Sequence, residues 1–523
     1  MRTSVILMAA LLSAPAARIV MPAGGRHASP TLRAQHAPAR DGAAPSQVAQ
    51  AALDAMGGDR VRGARSLRVA GIEHVFVLGN AERAEGPWRV LYNRFTELRD
   101  LTTDRSRRTD VLIAGRFGRD ARVTVVTDSV ASTGDAKGVT GASPSVLESA
   151  LDRVASSPER ALVLAAASPA LRIDGTVMRW GIPHDVLSFP LRNGRMRIEV
   201  NRETHLPTAV DIVRTYPDDF RRGPFGDITL RTEYVDWTVD STGIWWPRQH
   251  IVSLDGEPFR NVTIDSVSIS RDPAPADSFV VGDSARAAYA TNSRQTVRTF
   301  RLGDRGAPVE IRPGIVRVPD LWSMTLVRQD DGIVIFEAHL SATYLHQVID
   351  EAKRRFPGLP IKGIVLTSDP WAHVGGVREA IAMGIPIYVN ARSVPFFTAL
   401  AHAPHTLDPD ALQRAPRAPR FVPIAGKTVL GSGVNRIELY PVGGPYAERM
   451  TMAYFPALRL LYGADLVFKA AEGGYDPTPA TDLRRAVARE RLAVDTVFCV
   501  QRITPPIPWS EFDPAGAAAA GGS

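Results

Sequence analysis

The chain has 523 residues, 45% hydrophobic and 22% charged, a composition that excludes a fibrous or wholly disordered protein and points to roughly two to three domains. Its 62 basic and 55 acidic residues leave a net charge of +7, carried by arginines scattered along the whole length. Phosphate binding needs a concentrated patch, so nucleic acid is not an expected partner.

Met1-Arg2-Thr3, the apolar run Ser4 to Leu12 and the ending SAPAAR predict a secretory signal peptide over residues 1–17. No segment has the roughly 18 uninterrupted apolar residues of a membrane helix. The expectation is an exported protein, periplasmic or extracellular, with no transmembrane segment. Residues 18–45 are rich in Ala, Pro, Gly and Arg without periodicity and read as a flexible leader.

Order is expected from Ser46. In SQVAQAALDAMGG a serine can cap, Val48, Ala52, Ala55 and Met56 recur at helical spacing, and Gly57-Gly58 stops the helix. From Ser66 to Ser270 the sequence is mostly strand. ITLRTEYV alternates, with Ile228, Leu230, Thr232 and Tyr234 on one face, as a half-buried antiparallel strand requires. Hairpins are predicted around Thr204 to Pro207 and around Asp255-Gly256, and Ser143 to Ala167 reads as helical.

With its opening helix, its succession of strands, and the phrases ETHLPTAVDI and EYVDWTVDSTGIWWP, this part resembles the lipoprotein-carrier (LolA-like) family. The resemblance implies an antiparallel β half-barrel with helices over residues 46–275. Such folds can hold an acyl chain, although apolar strand faces ordinarily pack shut.

Residues 276–306 look like a linker. Beyond it the pattern changes to alternating strand and helix, the signature of an α/β layer. GIVIFEA (332–338) is followed by SATYLHQVIDEAKRRFPG, in which Ser341 can cap and Leu345, Val348, Ile349 and Ala352 form one face. Strand IKGIVLT, helix HVGGVREAIAMG and strand IPIYVN follow. Cys499, the single cysteine, sits in VDTVFCV and reads as a small buried hydrophobe; no internal disulfide is available. The final residues, 511–523, read as a disordered tail.

The stretch VLTSDPWAHVGG, at a predicted strand end, carries the chemistry. It resembles the first motif of the metallo-β-lactamase superfamily, T-H-x-H-x-D-H-x-G-G, with Thr367, His373, Gly375 and Gly376 kept and Ser368, Pro370 and Ala372 at the other ligand positions. The resemblance covers residues 307–510 and implies an αββα sandwich, hence an α+β chain of two domains. It places the bridging aspartate at Asp465, puts Tyr446 where a loop histidine belongs, and puts Gln501 where the last histidine belongs. Two of seven ligand positions thus survive.

A zinc hydrolase needs about three protein ligands per ion and an open position for water. His373 and Asp465 are therefore the candidate catalytic and metal-holding residues, with Asp369 and His339 as possible recruits. If no cation is bound, Arg449 and Arg502, aided by protonated His373, are candidates to replace its charge, with Tyr446 and Ser368 as hydrogen-bonding groups. G-x-S-x-G, phosphate-loop and C-x-x-C motifs are absent.

The leading expectation is a pseudoenzyme without a cofactor: a non-catalytic binding or scaffold protein for an unknown small molecule or apolar ligand. One alternative is a hydrolase with a single divalent metal, zinc, at His373 and Asp465. The other is a carrier of a lipid or apolar ligand through the first β region.

Overall fold

The computed structural model describes residues 44–80, 86–114, 121–470, 473–501 and 506–514. The expected signal peptide, nearly all of the leader, Arg502 and the tail beyond residue 514 lie outside these residues. The chain is a mixed α+β protein dominated by one large antiparallel sheet.

That sheet has 13 strands. The first, Ser66–Phe76, pairs along its length with the last, Glu257–Ser270, from Ser66 opposite Ser270 onward. Gly138–Gly141 and Arg172–Arg179 stand at the two edges, so the sheet is open, not a closed barrel. Ile228–Val239 buries Ile228, Leu230, Thr232 and Tyr234 as its alternation predicts. Asp255 and Gly256 both take positive φ, 50° and 88°, which closes the hairpin there.

Helices Pro45–Met56 and Pro158–Ala167 pack their apolar faces on the strands from Ile182 to Leu254. Ser46 is not the cap of the first helix. Ala44 holds that position, its backbone N–H donating to the Gln47 side chain at 3.1 Å. The predicted helical stretch from Ser143 is two helices, Pro144–Ala155 and Pro158–Ala167, because Pro158 cannot continue the hydrogen-bond ladder.

Part of the expected linker is helical. Asp283–Arg294 lies against the edge strand Gly138–Gly141, and Asn292 Nδ2 donates to the Gly141 carbonyl at 3.0 Å. A Cβ on Gly141 would come within 2.1 Å of the Tyr289 backbone nitrogen, so only glycine permits this approach.

The remaining strands form two sheets, one of seven strands from Val309–Arg312 to Phe421–Ile424 and one of six from Thr428–Leu430 to Ile507–Pro508. In the first, Gly332–Phe336, Ile361–Val365, Ile387–Asn390 and Phe421–Ile424 run parallel, as the strand and helix alternation predicts. A shared apolar cluster, including Val334, Phe336 and Val365 from one sheet and Phe455, Tyr462 and Phe498 from the other, fills the space between them. Helices Ala342–Arg355, Val377–Ala382 and Val394–His402 cover the outer face of the seven-stranded sheet. Pro477–Arg489 and Trp509–Phe512 cover that of the six-stranded one, where Phe512 is fully buried. Ser341 caps Ala342–Arg355 by accepting from the Tyr344 N–H at 3.3 Å. No helix among the described residues is long and apolar enough to cross a membrane.

The loop between strands Pro207–Arg214 and Ile228–Val239 of the large sheet meets loops of the seven-stranded sheet. Phe225 lies 4.7 Å from Trp371, ring centre to ring centre, and Asp227 accepts from the Thr406 and Leu407 N–H groups at 2.9 and 3.0 Å. Trp371 belongs to VLTSDPWAHVGG, so this contact clamps the motif loop.

Candidate functional site

Four chain segments leave the facing edges of the two sheets and bring their polar residues together. The strand Gly332–Phe336 ends at Glu337, which takes φ 72°, and Leu340 takes φ 63°. Ala464, just before Asp465, takes φ 50°. A left-handed conformation is disfavoured for residues with a Cβ and persists only where the surroundings enforce it. Three such residues border one site, and backbone bonds hold them: the Glu337 N–H donates to the Val365 carbonyl at 2.9 Å, and the Val500 N–H to that of Ala464 at 3.2 Å.

Glu337 is the centre of the arrangement. Its carboxylate is fully buried and accepts from the Thr367 hydroxyl and from the Tyr462 hydroxyl at 3.2 Å. His339 Nε2 stands 3.6 Å from Glu337 Oε2 and has no hydrogen-bond partner among the described residues, while Nδ1 faces the Trp322 carbonyl at 3.4 Å. The His339 and His373 rings meet at a tilt of 46° with centres 4.5 Å apart, and Trp322 meets His373 edge-on at 5.0 Å.

His373 Nδ1 bonds the Ser368 hydroxyl at 3.1 Å. Burial, reinforced by His339, pushes the His373 pKa well below its ordinary value. That direction runs against the expectation that protonated His373 supplies positive charge. Asp465 accepts from the Gln501 amide, and burial raises its pKa to about 6 despite that bond and the opposing pull of His339. Gln501 is itself anchored, its carbonyl accepting from Arg317 Nη2 at 2.6 Å.

Arg449 also has a different place from the expected one beside Asp465. Its Nη1 is 3.1 Å from Asp369 Oδ2, and the Ser393 hydroxyl donates to the same carboxylate oxygen at 2.9 Å. Tyr446 packs against the cluster beneath the six-stranded sheet, with its N–H held by Asp482 at 2.8 Å. The fold brings together His339, Ser368, His373 and Asp465, pairs Asp369 with Arg449, and sets Tyr446 beside Asp482.

Sequence reasoning missed Glu337, Tyr462 and Trp322. Glu337 had a legible signal, since it is the lone charge in the apolar strand GIVIFEA. Cys499 is buried as expected, and burial raises its thiol pKa to about 12. Among the described residues, no group of three or more His, Cys, Asp or Glu side chains is arranged to hold a metal ion.

No family model matches the chain. Over 99 residues it is 26% identical to the probable metallo-hydrolase YflN of Bacillus subtilis (strain 168). That match covers 18% of this chain and spans 37% of the length of the curated relative. Among solved structures it is similar to a metallo-β-lactamase from Pontibacter korlensis, at 16% identity and a TM-score of 0.31, over 39% of this chain and 94% of that one. A metallo-β-lactamase from Erythrobacter litoralis gives 16% identity and 0.31, over 41% and 95%. The inverting sec-alkylsulfatase Pisa1 from Pseudomonas sp. gives 15% and 0.27, over 38% of each chain.

Proposed function

We propose that the chain is an exported protein of metallo-β-lactamase type whose metal pocket has turned into a self-satisfied polar core, and that it acts as a binding or scaffold protein. One observation carries this reading: each carboxylate near the motif loop already has a partner from the chain. Glu337 takes the Thr367 and Tyr462 hydroxyls, Asp465 the Gln501 amide, and Asp369 the Arg449 guanidinium. A divalent metal needs about three donors with free lone pairs converging on one point. Ser368 instead engages His373 Nδ1, Gln501 donates to one oxygen of Asp465, and Thr367 and Tyr462 donate to Glu337. The residues therefore fit a zinc ion poorly.

Elemental analysis of protein purified without chelators tests this. The expected result is far less than one metal per chain, unaltered by His373→Ala. One zinc per chain, lost on His373→Ala, overturns it.

A second reading, a hydrolase with one divalent metal at His373 and Asp465, draws support from His339, whose ring contacts that of His373 and whose Nε2 has no hydrogen bond among the described residues. The same elemental analysis decides between them. For the first half of the chain we infer a LolA-like module that could carry an apolar ligand, supported by its opening helix and open antiparallel sheet. Mass spectrometry of extracted lipid tests the carrier role. Export is tested by N-terminal sequencing of the mature protein, which should begin near residue 18.

A further inference from the structure

A second concentration of buried charge lies under the large sheet, far in sequence from the motif loop. Strands Val90–Asp100, Ser106–Ala114 and Glu257–Ser270 contribute Arg99, Arg108 and Arg260 to one face, and helix Pro144–Ala155 adds Arg153 above them. With Glu73 and Glu97 they line a pocket of about 40 Å³, room for a few water molecules or one small polar headgroup.

The charges do not balance. Glu73 pairs with Arg108 and, at 3.2 Å, with Arg260; Glu97 lies 3.1, 3.6 and 3.4 Å from Arg99, Arg108 and Arg153. Asp110 takes a further contact from Arg108 at 2.8 Å. Four guanidinium groups thus face three carboxylates, and Glu159, which also interacts with Arg99, is pushed toward its neutral form by burial. The surplus is felt by the neighbours. Burial, then Arg99 and Arg260, drive His250 down to about 3. Burial also lowers Arg153 against the pull of Glu97, and Arg108, Arg260 and Arg99 add to that.

Donors are left over as well. Arg99 Nε and Nη1, Arg260 Nε and Trp246 Nε1 are buried and have no acceptor among the described residues, with Arg99 only 6% and Trp246 2% exposed. Buried polar groups are ordinarily hydrogen-bonded, and orphaned donors on cations are costly to keep. An acceptor-rich anion placed in the pocket would satisfy both the donors and the charge.

We propose that this pocket binds an oxyanion headgroup, a carboxylate or a phosphate- or sulfate-type group, held chiefly by Arg99 and Arg260. Each of these free N–H groups can donate a charge-assisted hydrogen bond to such a group. Val69, Phe95 and Ile264 form an apolar cluster beside the charges, so an alkyl chain attached to the headgroup would meet apolar surface.

Calorimetric titration of the whole chain with acetate, inorganic phosphate and octanoate, at constant ionic strength, tests the site. Saturable one-to-one binding of at least one probe is expected, weakened about tenfold or more by Arg99→Gln or Arg260→Gln and unchanged by Arg298→Gln, which lies elsewhere. Glu97→Gln removes a competing carboxylate and should tighten binding about tenfold, so the site stays testable even if the arginine variants fail to fold. Octanoate held about tenfold more tightly than acetate identifies the headgroup of an amphiphile; equal affinity identifies a free small anion. Absence of saturable binding by all three probes at roughly 10 mM, or Glu97→Gln leaving affinity unchanged, overturns the proposal.

Discussion

Replacing Asp465 by Asn separates a carboxylate that merely survives in a closed core from one that grips a cation. The carboxyl group is 8% exposed and faces Glu337, His339 and the Gln501 amide. Burial lifts its pKa from 3.8 to about 6 in the folded chain. Below the lower value both folded and unfolded chains hold the proton, and there is no penalty. Between the two values the folded chain must either keep a proton that the unfolded chain releases or bury a charge, so stability falls as pH rises. Above the upper value the full cost is present, about 3 kcal/mol at roughly 1.4 kcal/mol per pH unit. Asparagine keeps the acceptor oxygen for Gln501 and carries no charge. Asp465→Asn should therefore be neutral at about pH 4 and stabilising by up to about 3 kcal/mol at about pH 8. Urea denaturation at the two pH values, with the slope checked for constancy, reads the difference. A variant that is less stable than the parent at the higher pH would refute the reasoning, because it would mean that the ionised carboxylate is held by a positive partner such as a metal.

Arg449→Ala strips the nearest cation from the buried Asp369 carboxylate; a loss of about 3 kcal/mol in urea denaturation is expected, and an unchanged midpoint would show that the pair contributes nothing. A methyl group on Gly375 would stand 2.0 Å from the Leu340 carbonyl oxygen, a backbone atom that cannot yield without disturbing the site; Gly375→Ala should cost about 3 kcal/mol, measured by thermal unfolding, whereas a fully stable variant would contradict that packing. Cys499 is 1% exposed with its thiol raised to about 12, so a thiol reagent should modify it only after denaturant is added; rapid labelling of the native chain would speak against the buried placement.

Periodicity determined a good part of the architecture without help from long-range contacts. The alternation in ITLRTEYV and the apolar face of the helix capped by Ser341 are local features, because each follows from which face of one element avoids water. The resemblance to the metallo-β-lactamase motif, rather than periodicity, singled out His373 and Asp465 as candidates. Only the tertiary structure decided what these residues meet. It turned Arg449 toward Asp369, buried His373 between His339 and Trp322, and gave Asp465 to Gln501. It also set Glu337, invisible to motif spacing, at the centre. Charge pairing and desolvation depend on distances between segments more than a hundred residues apart, such as Glu337 and Tyr462. Those distances are fixed by how two sheets close on a common core, which no local pattern of residues encodes.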